Sequence, residues 1–292
     1  MFFDPACIPC IVKQAYNFAQ LFTNGNKDIQ LKIIKEVCSE VQIIDETSSA
    51  ALFSKKMQAV IEKYYGTDNP YKEIKEENIR KAEKYFKFIK VMVEDSTDKL
   101  DTAMRAAIIG NVIDFAANPN FNIDYEINRI MSDNINLSSL PKFKEDYYNA
   151  ESILYIGDNY EEAFFDKFLL NELLPKNIVF AVRSKPILND ITLEDAKQLE
   201  IDKLCKVIES GSTIAGTYLN ECTPEFLDIY HNADIVISKG QGNYETLINE
   251  TRPIYFLFKI KCEVISQRCG YPVGKGIILF NQNKREEINE TL

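Results

Sequence analysis

The chain has one histidine, His231, in 292 residues. A Ser-His or Cys-His pair would have to rest on that side chain alone, and no G-x-S-x-G turn accompanies it. Basic charge is also scarce, with 34 Lys and Arg against 44 Asp and Glu and a formal net charge of −10. A surface of that sign repels phosphate backbones, so nucleic acid is not an expected partner. There is no apolar stretch of about 18 residues, and MFFDPACIPCIVKQAY carries no basic segment ahead of an apolar one. The expectation is a protein that neither spans a membrane nor is exported, and that works in the cytoplasm. The seven cysteines, at 7, 10, 38, 205, 222, 262 and 269, are odd in number and scattered. That pattern speaks against a disulfide framework and for a reducing compartment.

What is present is a large apolar fraction, 46% of the chain, sufficient for one large core or two adjoining ones. From about residue 6 to 133 the apolar residues recur at helical spacing, as in Ile8, Ile11, Val12, Ala15, Phe18 and Phe22. The segment 72–95, with Pro70 just before it and strong helix formers throughout, predicts one long helix, and about 98–117 predicts another. Beyond residue 150 the pattern changes to short apolar runs, SILYIG (152–157), NIVFAV (177–182), DIVISKG (234–240), PIYFLF (253–258) and GIILF (276–280). Such runs, alternating with helix-length segments, predict an α/β fold with a Rossmann-like, mainly parallel sheet. The expected division is a helical domain at 1–145 and an α/β domain at 146–292, the latter the place to look for a metal-binding catalytic site.

Ligands of open parallel sheets bind beyond the carboxyl ends of the strands. The residues there are Asp158 and Asn159 after the first run, Arg183, Asn189 and Asp190 after the second, and Lys239, Gly240 and Asn243 in KGQGN after the third. Oxygen ligands from Asp and Asn, without paired Cys or a nearby His, suit a hard divalent ion such as Mg²⁺ or Mn²⁺. Asp158, Asn159 and Asp190 are the candidate metal ligands. A lysine beside glycines can bring an ammonium and backbone N–H groups to a phosphate. Each motif alone also reads as turn chemistry, since Asp-Asn, Asn-Asp and Gly-rich pairs are turn formers.

The helical half adds Asn111 and Asp114, three apart on one helix face beside Gly110; by spacing alone they are an ordinary polar pair. Cys7 and Cys10 have the spacing of a metal or redox pair, with Cys38 a conceivable third ligand and no evident fourth.

Six segments carry a resemblance to the damage-control phosphatase family, domain of unknown function 89: CIPC, NPYKEIKEEN at 69–78, IGNVIDF at 109–115, IGDNYEEAFFDKFLL at 156–170, AVRSKPILNDITLEDA at 181–196 and ADIVISKGQGNYETL at 233–247. They follow one another over nearly the whole chain, and the CxxC is similar to the microbial branch. The resemblance implies a helical domain joined to an α/β domain and a divalent metal held by Asp158, Asn159 and Asp190. It also implies a phosphate-binding Lys239 with Asn243 nearby, Asn111 and Asp114 lining the cleft, and Co²⁺ or Ni²⁺ as further possible ions. One departure from the family pattern is Glu161 where GDNxGE has glycine; Glu162 keeps the acidic position. The implied activity is metal-dependent hydrolysis of small phosphomonoesters, with damaged metabolites, sugar phosphates or nucleotide-like compounds as substrates. Arg183 and Asn189 are further candidates for substrate contact. The competing readings are an adenosyl-cofactor transferase, which GDN fits poorly for want of a Gly-rich turn, and a non-catalytic binder of sugar phosphate or metal.

Overall fold

The apolar runs pair into one seven-stranded sheet, ordered β1-β7-β6-β5-β2-β3-β4. The computed structural model describes residues 3–44, 49–67, 69–110 and 135–282. Its strands are β1 (Ile135–Asn136), β2 (Ser152–Ile156), β3 (Asn177–Val182), β4 (Lys206–Glu209), β5 (Ile235–Lys239), β6 (Tyr255–Lys259) and β7 (Gly276–Phe280). All neighbours run parallel except β6 and β7, so the fold is the predicted α/β class with one antiparallel pair. Two short strands were not predicted. β1 has only two residues, and in β4 only Ile208 is buried, so neither leaves an apolar run in the sequence.

Side chains alternate across the sheet as strand geometry requires. Ile153 and Tyr155 of β2, Ile178 and Phe180 of β3, and Tyr255 and Leu257 of β6 face one core. Leu154, Ile156, Val179, Phe256 and Phe258 face the other. Burial on both faces explains why the strands read as continuous apolar runs.

Helices cover both faces. On the first lie α4 (Lys72–Glu94), α5 (Lys99–Gly110), α6 (Leu140–Asn149), α7 (Tyr160–Leu173) and α8 (Leu193–Gln198); on the second lie α9 (Pro224–Asn232), α10 (Gln241–Leu247) and α11 (Glu263–Cys269). The long predicted helix forms over Lys72–Glu94, helped by the i,i+4 pair Lys81–Glu77 at 2.6 Å. The other long prediction is met as far as Gly110; its remainder lies outside the described residues. α1 (Cys7–Phe22), α2 (Lys27–Val41) and α3 (Ala50–Tyr65) enclose a separate small core of Ile11, Ala15, Ile33, Val37, Phe53, Met57 and Ile61. Among the described residues no helix is long and apolar enough to cross a membrane.

β2 sits between β3 and β5, so the chain builds outward in one direction through β3 and β4 and then restarts on the other side of β2. A crevice forms at such a switch point, above the carboxyl ends of β2 and β5.

Candidate active site

Asp158 and Asn159 leave β2 at that crevice, and Asn189 and Asp190 come from the loop after β3. Backbone bonds lock the two segments together. Tyr160 N–H donates to Asn189 O at 2.9 Å and Ile191 N–H to Asp158 O at 2.8 Å, leaving Asn159 and Asp190 bridged. Gly157 is required here because a Cβ would come within 2.9 Å of the Phe180 ring. Asp158, Asn159, Asn189 and Asp190 all line a cavity of about 320 Å³.

Arg183 does not line that cavity but lies behind it, fully buried. Its Nε donates to Asp190 Oδ2 at 2.7 Å, and its terminal nitrogens donate to Thr217 Oγ1 at 3.3 Å and Asn243 Oδ1 at 3.1 Å. The guanidinium also stands 3.7 Å from Asp158 Oδ1. A planar fork with five donors suits this task. Arg183 therefore orients the carboxylates instead of meeting substrate. Asn243, expected near the phosphate, is likewise buried; its Nδ2 donates to Gly157 O at 3.0 Å and Lys239 O at 2.7 Å, tying the ends of β2 and β5 together.

Lys239 departs furthest from expectation. It continues the face of Ile235 and Ile237, which points beneath α5 and α7. There its Nζ donates to Ala107 O at 3.0 Å, to Asp166 Oδ1 at 2.6 Å and to Glu162 Oε1. All three side chains are fully buried, and Lys239 does not line the cavity. Burial opposes the ammonium, but the two carboxylates outweigh it and raise the Lys239 pKa. Burial raises Glu162 to about 8, with Asp158 and Asp166 adding to the rise and Lys239 opposing it.

Gly240 has a different use from the expected phosphate cradle. Its φ is +79°, and a Cβ there would land on the Asp158 carboxylate. The glycine makes room for the candidate ligand.

The helical half supports the site through NPYKEIKEEN. Lys75 Nζ donates to Asp190 O at 2.6 Å and Asp195 Oδ2 at 2.8 Å, and Asn78 donates to Glu161 Oε1 at 2.7 Å. Glu161, the departure from the family pattern, lines the cavity; its other oxygen accepts from Asn189 at 3.2 Å. Burial raises its pKa, while Asn78 and Asn189 act against the rise. Asn111 and Asp114 lie outside the described residues.

Of the remaining wall only Gln241, within KGQGN, was anticipated at a strand end. That wall includes Cys7, Cys10 and Gln14 of α1, Ser54 of α3, Gln241 and Glu245 of α10, and Lys261 and Cys262 after β6. Lys261 is the only Lys or Arg among the described lining residues. Cys7, Cys10, Gln14 and Ser54 are far from any strand end in sequence, which is why inspection of strand ends missed them; Lys261 and Cys262, like Gln241, do follow a predicted strand.

The donor set suits a divalent cation. Burial and the charge of Asp158 push Asp190 up to about 7 despite Arg183 beside it, so the guanidinium alone does not offset the cost of burying the Asp190 carboxylate. Among the described residues no group of three His, Cys, Asp or Glu is arranged to hold a metal. A divalent cation between the two carboxylates would need the amide oxygen of Asn159 as its third donor, and all three are hard oxygens.

The fold and site define an α/β protein with an acidic, Arg-braced cavity at the switch point of its sheet. The chain belongs to the family described as the damage-control phosphatase ARMT1-like domain, whose model matches residues 3–277. It is 35% identical to an uncharacterized protein of Methanocaldococcus jannaschii, covering 94% of each chain. It is 32% identical to a damage-control phosphatase of Pyrococcus horikoshii, over 95% of this chain and 98% of that one. The crystal structure of a DUF89 family protein from Pyrococcus horikoshii superposes with a TM-score of 0.86 at 30% identity, covering 96% of this chain and 99% of the other.

Proposed function

We propose that this protein is a metal-dependent phosphatase of small phosphomonoesters, with Asp158, Asn159 and Asp190 holding the divalent cation. The observation that carries the reading is that these three residues line one cavity, with Asp158 and Asp190 braced from behind by Arg183. Relatives named damage-control phosphatase support the reaction class and suggest damaged or side-product phosphometabolites as substrates. Mg²⁺, Mn²⁺, Co²⁺ and Ni²⁺ are the ions to compare. Bound there, the cation would draw phosphate oxygens into place and offset the charge that develops on them.

The chain's own residues do the rest. Arg183 fixes both carboxylates before substrate arrives, so little reorganisation is left for the reaction. Gly240 leaves the space that Asp158 occupies. Lys75 and Asn78 hold the Asn189–Asp190 loop and Glu161 against the cavity. Lys261, in place of the buried Lys239, is the lining cation that meets phosphate charge. Net turnover joins water to the phosphoryl group and releases the alcohol and inorganic phosphate. The seven free cysteines accord with a cytoplasmic setting.

The test is hydrolysis of p-nitrophenyl phosphate by chelator-stripped protein with each ion restored singly, beside Asp158→Ala. Activity restored in the parent and absent from a folded variant is expected. Equal activity in the variant, or none in the parent with any ion, overturns the proposal.

A further inference from the structure

The CxxC pair remains unassigned by the chemistry above, and the structure supplies its missing partner. Cys38 does not line the cavity; Cys262, after β6, does, together with Cys7 and Cys10. Each of two sulfurs has an amide donor. Gln14 Nε2 lies 3.5 Å from Cys10 Sγ, and Gln241 Nε2 lies 3.7 Å from Cys262 Sγ. An N–H directed at sulfur favours the thiolate over the thiol. Cys10 is exposed and Cys262 half-buried, so a small molecule entering the mouth reaches Cys10 first. Since no three such side chains among the described residues are arranged around a metal, chemistry that needs two sulfurs fits better than a four-ligand site.

We propose that Cys10 and Cys262 form a thiol–disulfide exchange site in the wall of the cavity, reactive toward low-molecular-weight disulfides. The Cys10 thiolate attacks one sulfur of the small disulfide, forming a mixed disulfide and releasing one small thiolate. The Cys262 thiolate then attacks Cys10 Sγ, forming the Cys10–Cys262 bond and releasing the second. Two electrons pass from the protein to the small disulfide, and the two protons lost by the cysteines go to the released thiolates. Burial raises the Cys10 thiol above its ordinary value, with Gln14 pulling the other way, so exchange at neutral pH requires the disulfide in excess. The product ties α1 to the segment after β6 at disulfide reach, with Cα atoms about 5.5–6 Å apart, and narrows the mouth. This last consequence rests on the phosphatase reading; the bond itself does not.

The full chain is reduced, desalted, incubated with excess oxidised glutathione and digested with trypsin without reductant. The expected product is peptide 1–13 linked to peptide 262–268, persisting in Cys7→Ser and absent from Cys10→Ser. Cys262→Ser is expected to keep glutathione on Cys10 instead. In the oxidised parent, KM for p-nitrophenyl phosphate rises several-fold and returns on adding dithiothreitol; an unchanged KM in the cross-linked protein removes the narrowing. Glutathione adducts alone, a link confined to peptide 1–13, or loss of the cross-link in Cys7→Ser overturns the site itself. Because the link is read by mass, a failure of the phosphatase assay leaves this result standing.

Discussion

Replacing Lys239 with Met separates a structural lysine from a substrate-binding one. The methionine keeps much of the apolar stem and removes the ammonium that lies between Glu162 and Asp166. Removing one partner from a buried ion pair costs about 3–5 kcal/mol, because the remaining charge has no compensation. At about 2–4 °C per kcal/mol for a domain of comparable size, the melting temperature of metal-free protein should fall on the order of 10 °C. The loss should also depend on pH. Burial already raises Glu162 to about 8 against the pull of Lys239, and without that pull the carboxyl rises further. The folded variant then holds protons that the unfolded chain releases near the ordinary carboxylate range. Parent and variant both lose stability as pH increases from about 4.5 to 8, and the variant, whose carboxyl titrates higher, goes on losing it above 8, so the deficit should be smaller at pH 6.5 than at pH 9. Thermal unfolding in chelator at those two pH values measures both effects. A variant that melts with the parent at pH 9 yet has lost phosphatase activity would refute the buried-triad account and return Lys239 to the substrate.

Arg183→Lys keeps the charge but should cost about 1–3 kcal/mol for each buried acceptor left without its donor, because one ammonium cannot reach Asp190, Asn243 and Thr217 together; chemical denaturation reads this, and metal affinity should weaken in parallel. Gly240→Ala places a methyl group on the Asp158 carboxylate at a φ that favours glycine, so metal-dependent turnover should drop at least tenfold while circular dichroism stays that of the parent. Parental activity in Gly240→Ala would mean that Asp158 is not needed where the structure puts it.

The sheet was legible because burial on both faces writes each central strand as an apolar run. β1 and β4 escaped because one is two residues long and the other only partly covered. Asp158, Asn159, Asn189 and Asp190 were found by position, since whatever follows a parallel strand faces the crevice. Direction was the harder problem. Lys239 is also at a strand end, but its parity with Ile235 and Ile237 turns it under α7, where Glu162 and Asp166 share one helix face four residues apart. That signal was present in the sequence and points to a buried ion triad. From α1 only the CxxC pair stood out, and nothing placed it at the cavity; the rest of the wall from α1 and α3 left no comparable trace, because ordinary helix positions become lining residues only through packing.

The cavity therefore has two makers. The candidate ligands and their brace belong to the sheet and its loops, whereas part of the opposite wall belongs to α1 and α3, which have a hydrophobic core of their own. Substitutions on the cavity-facing side of α1 and α3 can reshape what is admitted without touching the residues that hold the phosphate chemistry. Such a division lets descendants of one ancestor diverge in diet while inheriting the same reaction.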